Sequence, residues 1–462
     1  MPIVQSPFVL WSCIVYMAAC LAIGYWAWRR TENSKDFFVA GKSLGIVVMI
    51  VASNTSIISG FAFIGGPGAV YSSGSSSMWL ACAVIGGPVG LILVGKRLAL
   101  LAEIREIYTL PDVVQARYGG RWPRAAMALA LLVGVVGYLG TQVLALGVAM
   151  SAMFDINLVA SMAIGLAVLA GYSVAGGMLA AVYTDLLQGA VMLTAAFAIC
   201  FYALEASGGL TEMTTTLQAM DPEYLSAWGT MGPLAAVSWH FLAVLGIAGQ
   251  PHVITKYLML RDIRSMRWAQ ALSISTFLPV TFIWVGVGLA MRYLVQTGAE
   301  PSLASEDLAT PMFLLHHTPP VVAGIALAGL LGAIMSTSDT FLNLGAAAAV
   351  RDIPRAFLGR GIERELFWSR TATVVLLAVS ALFAYYMGSL TALLGTFAAG
   401  TFAAAIAPTM ALGLNWRRAS AAACVSSIGV SIVLNVSLEL LARNGVQILP
   451  QGLFVGAFSL LS

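Results

Sequence analysis

Charged side chains are scarce in this sequence. They make up 9% of the 462 residues, whereas soluble proteins carry about 25%, and hydrophobic residues make up 60%. A soluble fold could not bury so much apolar surface, so the composition excludes an ordinary soluble protein. Apolar stretches of about 20 residues, the length of helix that crosses a bilayer, recur along the chain. We therefore predict an all-α, multi-pass protein embedded in a lipid bilayer.

Residues that mark other classes of protein are also few. The five cysteines lie within the apolar stretches at no metal-ligand spacing, so neither a disulfide framework nor a zinc site is predicted. The sequence contains no nucleotide-binding loop and no Ser-His-Asp arrangement, and we therefore predict no enzyme. The basic residues are dispersed among short loops and form no stripe, which argues against nucleic acid as a partner.

Hydropathy predicts twelve spans and a shorter thirteenth stretch. That last stretch is too short to cross the bilayer fully, so it either enters partway or belongs to a chain that continues past Ser462. Basic residues follow the first span and none precedes it, so we interpret it as a retained span and not as a cleaved signal peptide. The stretches are 7–28, 43–71, 75–98, 124–154, 157–176, 181–204, 232–255, 267–295, 319–350, 368–387, 389–414, 419–442 and 447–462.

Charge placement predicts how these spans are oriented. All but two of the 23 basic residues, Arg292 and Arg443, fall in loops on one side of the membrane. The long loops 205–231 and 296–318, on the other side, contain acidic residues and no Lys or Arg. Because basic residues favour the cytoplasmic side, we predict an N-terminus outside the cell and a plasma-membrane location, the inner membrane of a bacterium.

Two spans carry Gly and Pro near their middles, at 60–68 and at 246–251. In membrane helices such residues are commonly packing points or kinks. Transporters, however, often begin each of two inverted halves with a broken helix. Five spans start at each of these two, and an odd number gives the halves opposite orientations. We therefore predict one transmembrane domain, 1–462, with an inverted 5+5 repeat of 43–204 and 232–414, preceded by 7–28 and followed by 419–462.

The span 319–350 has a polar face. Ala333, Ser336, Thr337 and Thr340 are three or four residues apart and therefore share one side of a helix. Sodium is a hard cation that prefers oxygen ligands, and two hydroxyls beside a freed carbonyl would supply half of its shell. The alternative is that these hydroxyls simply bond back to the carbonyl one turn earlier.

Two carboxylates, Asp185 and Asp339, lie within apolar sequence. A carboxylate inside a membrane is costly unless it is paired, so both are candidate ion or proton sites. For Asp185 the alternative is a helix N-cap near the cytoplasmic face. Among the histidines, His252 is expected to cap carbonyls at the end of a broken helix at least as readily as to take part in catalysis. His316 and His317 are expected to be solvated in an external loop.

Four stretches, spread over nearly the whole chain, together resemble the sodium/solute symporter (SSS) family. They are 56–74 (Ser-Ile-Ile-Ser-Gly, then Gly-Gly-Pro-Gly-Ala-Val-Tyr-Ser-Ser-Gly), 109–119 (Thr-Leu-Pro-Asp, then Ala-Arg-Tyr-Gly), 176–188 (with Ala-Val-Tyr-Thr-Asp) and 333–339 (with Ser-Thr-Ser-Asp). The resemblance implies a leucine-transporter-like (LeuT-like) core of ten helices. One extra N-terminal and two extra C-terminal helices bring the total to about thirteen.

The resemblance also implies cation sites. A sodium ion would bind between the first and eighth core helices, and the ligands carried over are the carbonyls of Thr55, Ile58 and Ala333 and the hydroxyls of Ser336 and Thr337. Some relatives bind a second sodium ion at residues that match Asp185, Asp339 and Thr340. Because position 339 is a carboxylate here and a hydroxyl in those relatives, a second sodium ion and a proton are both open, and so is the stoichiometry.

The resemblance further implies a small organic solute bound beside the breaks. The candidate contacts are Ser59, Phe61, Tyr138, Gln142, Ala243, Ile247, Gln250 and Phe397. The run 249–252 is similar to that of members that carry proline, pantothenate or short carboxylates, although Ala243 and Ile247 replace the aromatic residues of proline carriers. The loop 256–267 is expected in the cytoplasm, and no buried Lys or Arg is predicted in the solute pocket. A solute carboxylate would then rely on helix N-termini and backbone amides.

The sequence thus predicts a sodium-coupled secondary active symporter that imports an amino acid, a short carboxylate or a similar solute by alternating access. Two alternatives stay open at this point. One is a transporter-like sensory input module with a signalling partner or a C-terminal extension. The other is a proton-coupled carrier of the same fold.

Overall fold

The chain folds into helices along almost its whole length. A computed structural model describes residues 6–31, 34–40, 43–387, 391–446 and 448–461. Within these residues no β-strand forms, and a single isolated bridge pairs Leu44 with Leu260. The predicted fold class, an all-α multi-pass protein, is confirmed.

The first part of the chain contains the helices α1 (Pro7–Trp28), α2 (Ser34–Val39), α3 (Ile46–Ile57), α4 (Gly66–Ser73), α5 (Ser75–Met78), α6 (Ala83–Gly90), α7 (Lys96–Ile104), α8 (Leu110–Tyr118), α9 (Trp122–Phe154), α10 (Leu158–Ala206) and α11 (Leu210–Met220). The second part contains α12 (Gly232–Ile247), α13 (Pro251–Ile254), α14 (Ala269–Gln296), α15 (Ala309–His317), α16 (Pro320–Ala347), α17 (Ile353–Phe357), α18 (Glu365–Met387), α19 (Thr391–Asn415), α20 (Ala421–Arg443) and α21 (Val455–Leu461). Short π-helical and 3-10 segments join several of them, among them Phe61–Gly65 and Thr255–Met259.

Among the described residues, ten helical segments are long and apolar enough to cross a membrane, and α3 with Phe61–Ser73 forms an eleventh span that is bent by 55°. The predicted spans 157–176 and 181–204 together form α10, whose first part, Leu158–Gly171, is a shorter apolar helix. The thirteenth stretch, 447–462, lies partly outside the described residues, and within 448–461 its helix is the seven-residue α21. The expected count of about thirteen spans is therefore not confirmed.

The long helix α10 changes direction at Gly177. This residue has φ 57° and ψ −148° inside an otherwise helical segment. A Cβ atom added there would lie 2.5 Å from the ring of Phe37 on α2. Only glycine adopts this conformation without strain, so the sequence fixes a bend between the two predicted spans, ahead of the segment that carries Asp185.

The first broken span consists of α3, the π-helical segment Phe61–Gly65 and α4. The helix α3 ends at Ile57, and Ile58 after it is extended, with ψ 92°. Gly60 lets this break lie against α9, because a Cβ atom there would come within 2.6 Å of the Ala145 side chain. The result is a helix end in the interior of the protein.

The second broken span consists of α12, α13 and the 3-10 segment Thr255–Met259. The helix α12 ends at Ile247, and Gln250 is extended, with ψ 110°, directly before Pro251. A residue that precedes proline is biased away from the helical conformation, which explains the position of the break. The part after the break packs on α3, and Leu44 pairs by backbone hydrogen bonds with the segment that follows Thr255–Met259.

The broken spans lie in a bundle whose centre is formed by α9 and α16. Both are mostly buried, whereas α1, α18 and α20 expose most of their apolar side chains, as helices in contact with lipid do. The helix α16 packs along α10, α1 and α9, and it also contacts α3 and α13. The polar face of α16 is thus enclosed within the protein.

Candidate functional site

The hydroxyl pair of α16 meets the broken end of α3. Ser336 Oγ lies 3.0 Å from the Ala333 carbonyl oxygen and 3.1 Å from the Thr55 carbonyl oxygen. Thr337 Oγ1 lies 3.0 Å from the same Ala333 oxygen and 2.9 Å from the Ser56 carbonyl oxygen. Both hydroxyls therefore hydrogen-bond to a carbonyl of the preceding turn of α16, as the alternative expected. They also hydrogen-bond to carbonyls of α3.

The carbonyls of α3 are available because the helix ends at Ile57. The last four carbonyls of a helix have no amide partner within it, and those of Thr55 and Ser56 belong to this group. Both residues are buried, as are Ala333, Ser336 and Thr337. The cluster is therefore made of oxygen atoms screened from water, which is the ligand chemistry of a hard cation.

Four of the five predicted sodium ligands come together in this cluster. Ile58, the fifth, is the extended residue after α3, and it lines a crevice with Thr55 between α3, α10 and α14. The structure adds one residue to the set, because the Ser56 carbonyl accepts from Thr337. The sequence could have indicated Ser56, since it lies next to Thr55 in the last helical turn before the predicted break.

A buried ion pair lies directly beside this cluster. Lys256 Nζ is 2.7 Å from Asp185 Oδ2 and 2.7 Å from the Ala52 carbonyl oxygen, and it also contacts Ser56 Oγ. Neither charged side chain is exposed. The prediction that Lys256 lies in a cytoplasmic loop is wrong, because Thr255–Met259 continues the second broken span into the interior.

The three residues predicted for a second cation site lie on α10 and α16, beside Ser56. Asp185 lies within α10 and not at a helix start, so its N-cap interpretation is wrong. Thr340 Oγ1 lies 3.5 Å from Ser56 Oγ, and Asp185 Oδ2 lies 3.4 Å from the same oxygen. Asp339 is buried too, and its Oδ1 accepts from the Thr340 hydroxyl at 3.5 Å.

A cavity opens at the two breaks, next to the cation cluster. Five of the predicted solute contacts line it, and most of the other lining residues are apolar or aromatic. The lining residues are Ile57, Phe61, Leu80, Ala83, Tyr138, Trp239, Leu242, Ala243, Ile247, Gln250, His252, Trp284, Gly395 and Ala399. None of these side chains carries a permanent charge.

Several polar atoms of this cavity are buried without a hydrogen-bond partner among the described residues. They include Nε1 of Trp239, Nε1 of Trp284, Oε1 of Gln250 and both ring nitrogens of His252. Unpaired buried polar groups are costly, so native proteins retain them mainly where a ligand or water will bind. Trp239 and Trp284 were not predicted. Trp239 lies in α12, ahead of the second break, and Trp284 of α14 lies beside Gly66 of the first broken span. A tryptophan inside an apolar span is the signal that could have found them.

The remaining three predicted solute contacts are not among the residues that line the cavity. Gln142 Oε1 accepts from the Gly60 amide at 2.9 Å and so ties α9 to the break. Ser59 is buried, and its hydroxyl accepts from the Phe61 amide at 3.2 Å. Phe397 is not part of the lining, because its ring packs against Gly137 of α9.

The histidine predictions are confirmed in part. Within the described residues His252 donates to and accepts from no partner; its ring packs on those of Phe341 and Tyr138, with centroid distances of 4.6 and 5.8 Å. His316 is exposed, as predicted, whereas His317 is half-buried, and a nitrogen of each lies 3.0 or 2.9 Å from Glu300 Oε1. These two histidines thus hold a segment of the loop between α14 and α16.

The Thr-Leu-Pro-Asp stretch has a structural role away from this site. Thr109 and Asp112 form a reciprocal cap at the start of α8. Arg124 of α9 contacts Asp112 and lies 2.9 Å from Asp352, which also accepts from the Thr109 hydroxyl at 2.9 Å. This network joins α8 and α9 to the segment after α16.

Comparison with known proteins agrees with this geometry. A family model described as "Sodium:solute symporter family" matches residues 37–429. The sodium/pantothenate symporter of Escherichia coli (strain K12) is 28% identical, over 94% of this chain and 91% of that protein. The osmoregulated proline transporter OpuE of Bacillus subtilis (strain 168) is 26% identical, over 89% of this chain and 84% of that protein.

A solved structure shows the same fold. A Na⁺-coupled sialic acid symporter, in a substrate-bound outward-open state, superposes with a TM-score of 0.78 and 20% sequence identity. The match covers 98% of this chain and 96% of that one. The LeuT-like architecture is therefore shared over the full length of both proteins.

Proposed function

This chain belongs to the sodium:solute symporter family, and from that membership we propose that its coupling ion binds between the broken end of α3 and the hydroxyl pair of α16. The protein is a transporter and not an enzyme, and it couples sodium to the movement of a small solute. The observation that carries the proposed site is a pair of contacts between α16 and α3. The Ser336 hydroxyl lies 3.1 Å from the Thr55 carbonyl oxygen, and the Thr337 hydroxyl lies 2.9 Å from the Ser56 carbonyl oxygen.

Sodium at this position would link ion binding to the solute cavity. The ligands on α3 are followed within a few residues by Gly60, which Gln142 holds, and by Phe61, which lines the cavity. An ion that fixes the break against α16 would thereby order the cavity wall, and by linkage the solute would strengthen sodium binding. We infer alternating access in which the two broken spans move relative to the bundle.

The solute we propose is a small organic molecule with a carboxylate or carbonyl group and an apolar body. The cavity walls are largely apolar and aromatic, and the unpaired groups of Trp239 and Trp284 are hydrogen-bond donors. The relatives named for proline and pantothenate transport both carry solutes with these groups. Amino acids and short carboxylates meet the same description, and sugars, which lack a carboxylate, meet it less well.

We also propose the orientation and the repeat. The excess of basic residues in one set of loops favours an outside N-terminus in a bacterial inner membrane. The broken spans containing α3 and α12 each begin a set of helices, which supports inverted repeats at 43–204 and 232–414.

The sodium site is tested by thermal unfolding of the purified protein in detergent. Replacing choline chloride by sodium chloride should raise the unfolding temperature, since a bound ligand at 100 times its Kd stabilises by about 2.7 kcal/mol. The double variant Ser336→Ala/Thr337→Ala should lose this shift. Ser338→Ala is the matched control, because among the described residues its hydroxyl donates to the Ile334 carbonyl of its own helix, at 2.6 Å, so this variant should leave the shift unchanged.

A sodium-dependent shift that survives in the double variant would place the ion elsewhere. The same measurement identifies the solute class when amino acids, short carboxylates, pantothenate and sugars are added with and without sodium. We expect a carboxylate-bearing solute to give an additional shift that requires sodium. A shift produced by sugars alone would refute the proposed class.

A further inference from the structure

We propose that the ammonium group of Lys256 is a built-in cation at the position of the second ion, so that the protein binds one sodium ion. This inference rests on the sodium site proposed above. It starts from the ion pair of Lys256 with Asp185, which the sodium site does not use.

The first step is the donor count of the ammonium. Its three N–H groups face three acceptors, namely Asp185 Oδ2 at 2.7 Å, the Ala52 carbonyl oxygen at 2.7 Å and the hydroxyl oxygen of Ser56. A lysine ammonium has three donors and no acceptor, so the group is fully satisfied as a cation. Carboxylate, carbonyl and hydroxyl are also the oxygen types that a sodium ion would recruit.

The second step is the exclusion of another ion. Alkali cations of this size lie close to their oxygen ligands, at about the 2.3–2.6 Å typical of calcium. An ion bound to Asp185 Oδ2 and Ser56 Oγ would occupy the space of the Lys256 ammonium. A like charge displaced only slightly would be repelled strongly in a buried site, because screening by water is weak there. The ammonium and a second sodium ion are therefore mutually exclusive.

The third step is the charge around the site. On α10 the facing charge is Asp185, on the second broken span it is Lys256, and these two neutralise each other. The carboxylate of α16, Asp339, is buried next to Thr340, and its Oδ1 accepts from the Thr340 hydroxyl at 3.5 Å. A second sodium ion would add a positive charge beside a pair that is already neutral.

The fourth step is the connection to the sodium site. Ser56 joins the two positions, since its carbonyl accepts from Thr337 and its hydroxyl accepts from Lys256. The lysine belongs to the second broken span, while its acceptors belong to α3 and α10. The tethered ammonium thus holds the helices together as a bound ion would, and it moves with its own helix.

The test counts sodium ions bound per chain, by equilibrium binding of radioactive sodium to the purified full-length protein. The wild type should bind one ion, and Ser336→Ala/Thr337→Ala should bind none. Lys256→Ala removes the ammonium and leaves the Asp185 carboxylate, whose Oδ1 already has no hydrogen-bond partner among the described residues. Because this carboxylate could then bind a second sodium ion, the number of ions bound per chain should rise to two. Lys256→Ala/Asp185→Asn removes the carboxylate as well, and the count should return to one.

Lys96→Ala, which removes an exposed lysine, is the control and should bind one ion. The inference is overturned if the wild type binds two ions, or if folded Lys256→Ala still binds one. Should Lys256→Ala fail to fold, the wild-type count decides between one ion and two without it. A wild type that binds no sodium would refute the proposed sodium site itself, and the two failures are therefore distinguishable.

Discussion

At the scale of single residues, the buried polar side chains of this protein differ in whether they have partners. The hydroxyls of Ser336 and Thr337 and the ammonium of Lys256 have hydrogen-bond partners. The indole N–H groups that line the cavity have no partner among the described residues. The partnered groups hold α16 and the second broken span to α3, and we propose that the unpartnered indole groups bind the solute.

The indole donors give a prediction for solute affinity. Replacing Trp239 or Trp284 by Phe keeps an aromatic ring and removes one donor. A hydrogen bond to a charged group contributes about 1.5–3 kcal/mol, and 1.4 kcal/mol corresponds to tenfold, so the KM for a carboxylate solute should rise about tenfold or more. Uptake kinetics in proteoliposomes measure this.

The control for these variants is Trp368→Phe on the exposed face of α18, which should leave KM unchanged. If Trp239→Phe and Trp284→Phe both leave KM at the wild-type value, the indole groups do not contact the solute. The proposed solute class would then lose its main structural support.

Single residues were also where sequence reasoning failed. The family resemblance and the helical spacing predict Ser336 and Thr337 as a pair, because the helical period and the presence of hydroxyl side chains are enough to place both on one face. Charge placement predicts Lys256 in a loop, because basic residues are counted as markers of loops between spans. Val253, Ile254 and Leu258, two or three residues away on either side, are apolar and buried, and this is the local signal that the helix continues past the lysine.

At the scale of helices, breaks and bends position the site. The structure has breaks in the two spans predicted to be broken, and the first of them frees the carbonyls of Thr55 and Ser56. Because α10 bends at Gly177, its second part, which contains Asp185, runs toward the broken end of α3. The breaks could be predicted from local sequence, whereas the merger of two spans into α10 could not, because hydropathy does not report the path between them.

The bend gives a prediction for stability. Gly177→Ala forces a side chain into a backbone conformation that costs roughly 1–3 kcal/mol, and its Cβ would also collide with Phe37. We expect a clear fall in the thermal unfolding temperature. Gly171→Ala on the same helix is the control, since its Cβ would make an ordinary contact of 3.4 Å with Leu21. Equal unfolding temperatures for the two variants would contradict a required bend.

The network at the start of α8 gives a second prediction at this scale. Arg124→Met would leave Asp352, which is completely buried, without its cationic partner. Breaking one side of a buried ion pair destabilises by about 3–5 kcal/mol, so this variant should unfold at a much lower temperature. The exposed Arg105→Met should unfold like the wild type. A stable Arg124→Met variant would show that the network does not hold α8 and α9 to the segment after α16.

At the scale of the whole molecule, a sodium symporter has to connect an ion site to a solute site through parts that can move. Here the two broken spans meet beside the cation cluster and also line the solute cavity. Composition and charge placement were enough to predict a membrane protein, and the family match confirms the sodium-coupled function. The proximity of the ammonium of Lys256 to the cluster depends on tertiary packing, which no linear pattern reports.

Uptake into proteoliposomes tests the coupling most directly. Radioactive proline, pantothenate and short carboxylates are offered with an inward sodium gradient, with equal sodium on both sides, and with choline in place of sodium. The wild type should accumulate one of these solutes only with the inward gradient, and Ser336→Ala/Thr337→Ala should not accumulate it, whereas Ser338→Ala should. Accumulation that is independent of the sodium gradient, or that persists in the double variant, would contradict the assignment of coupling to the α3–α16 site.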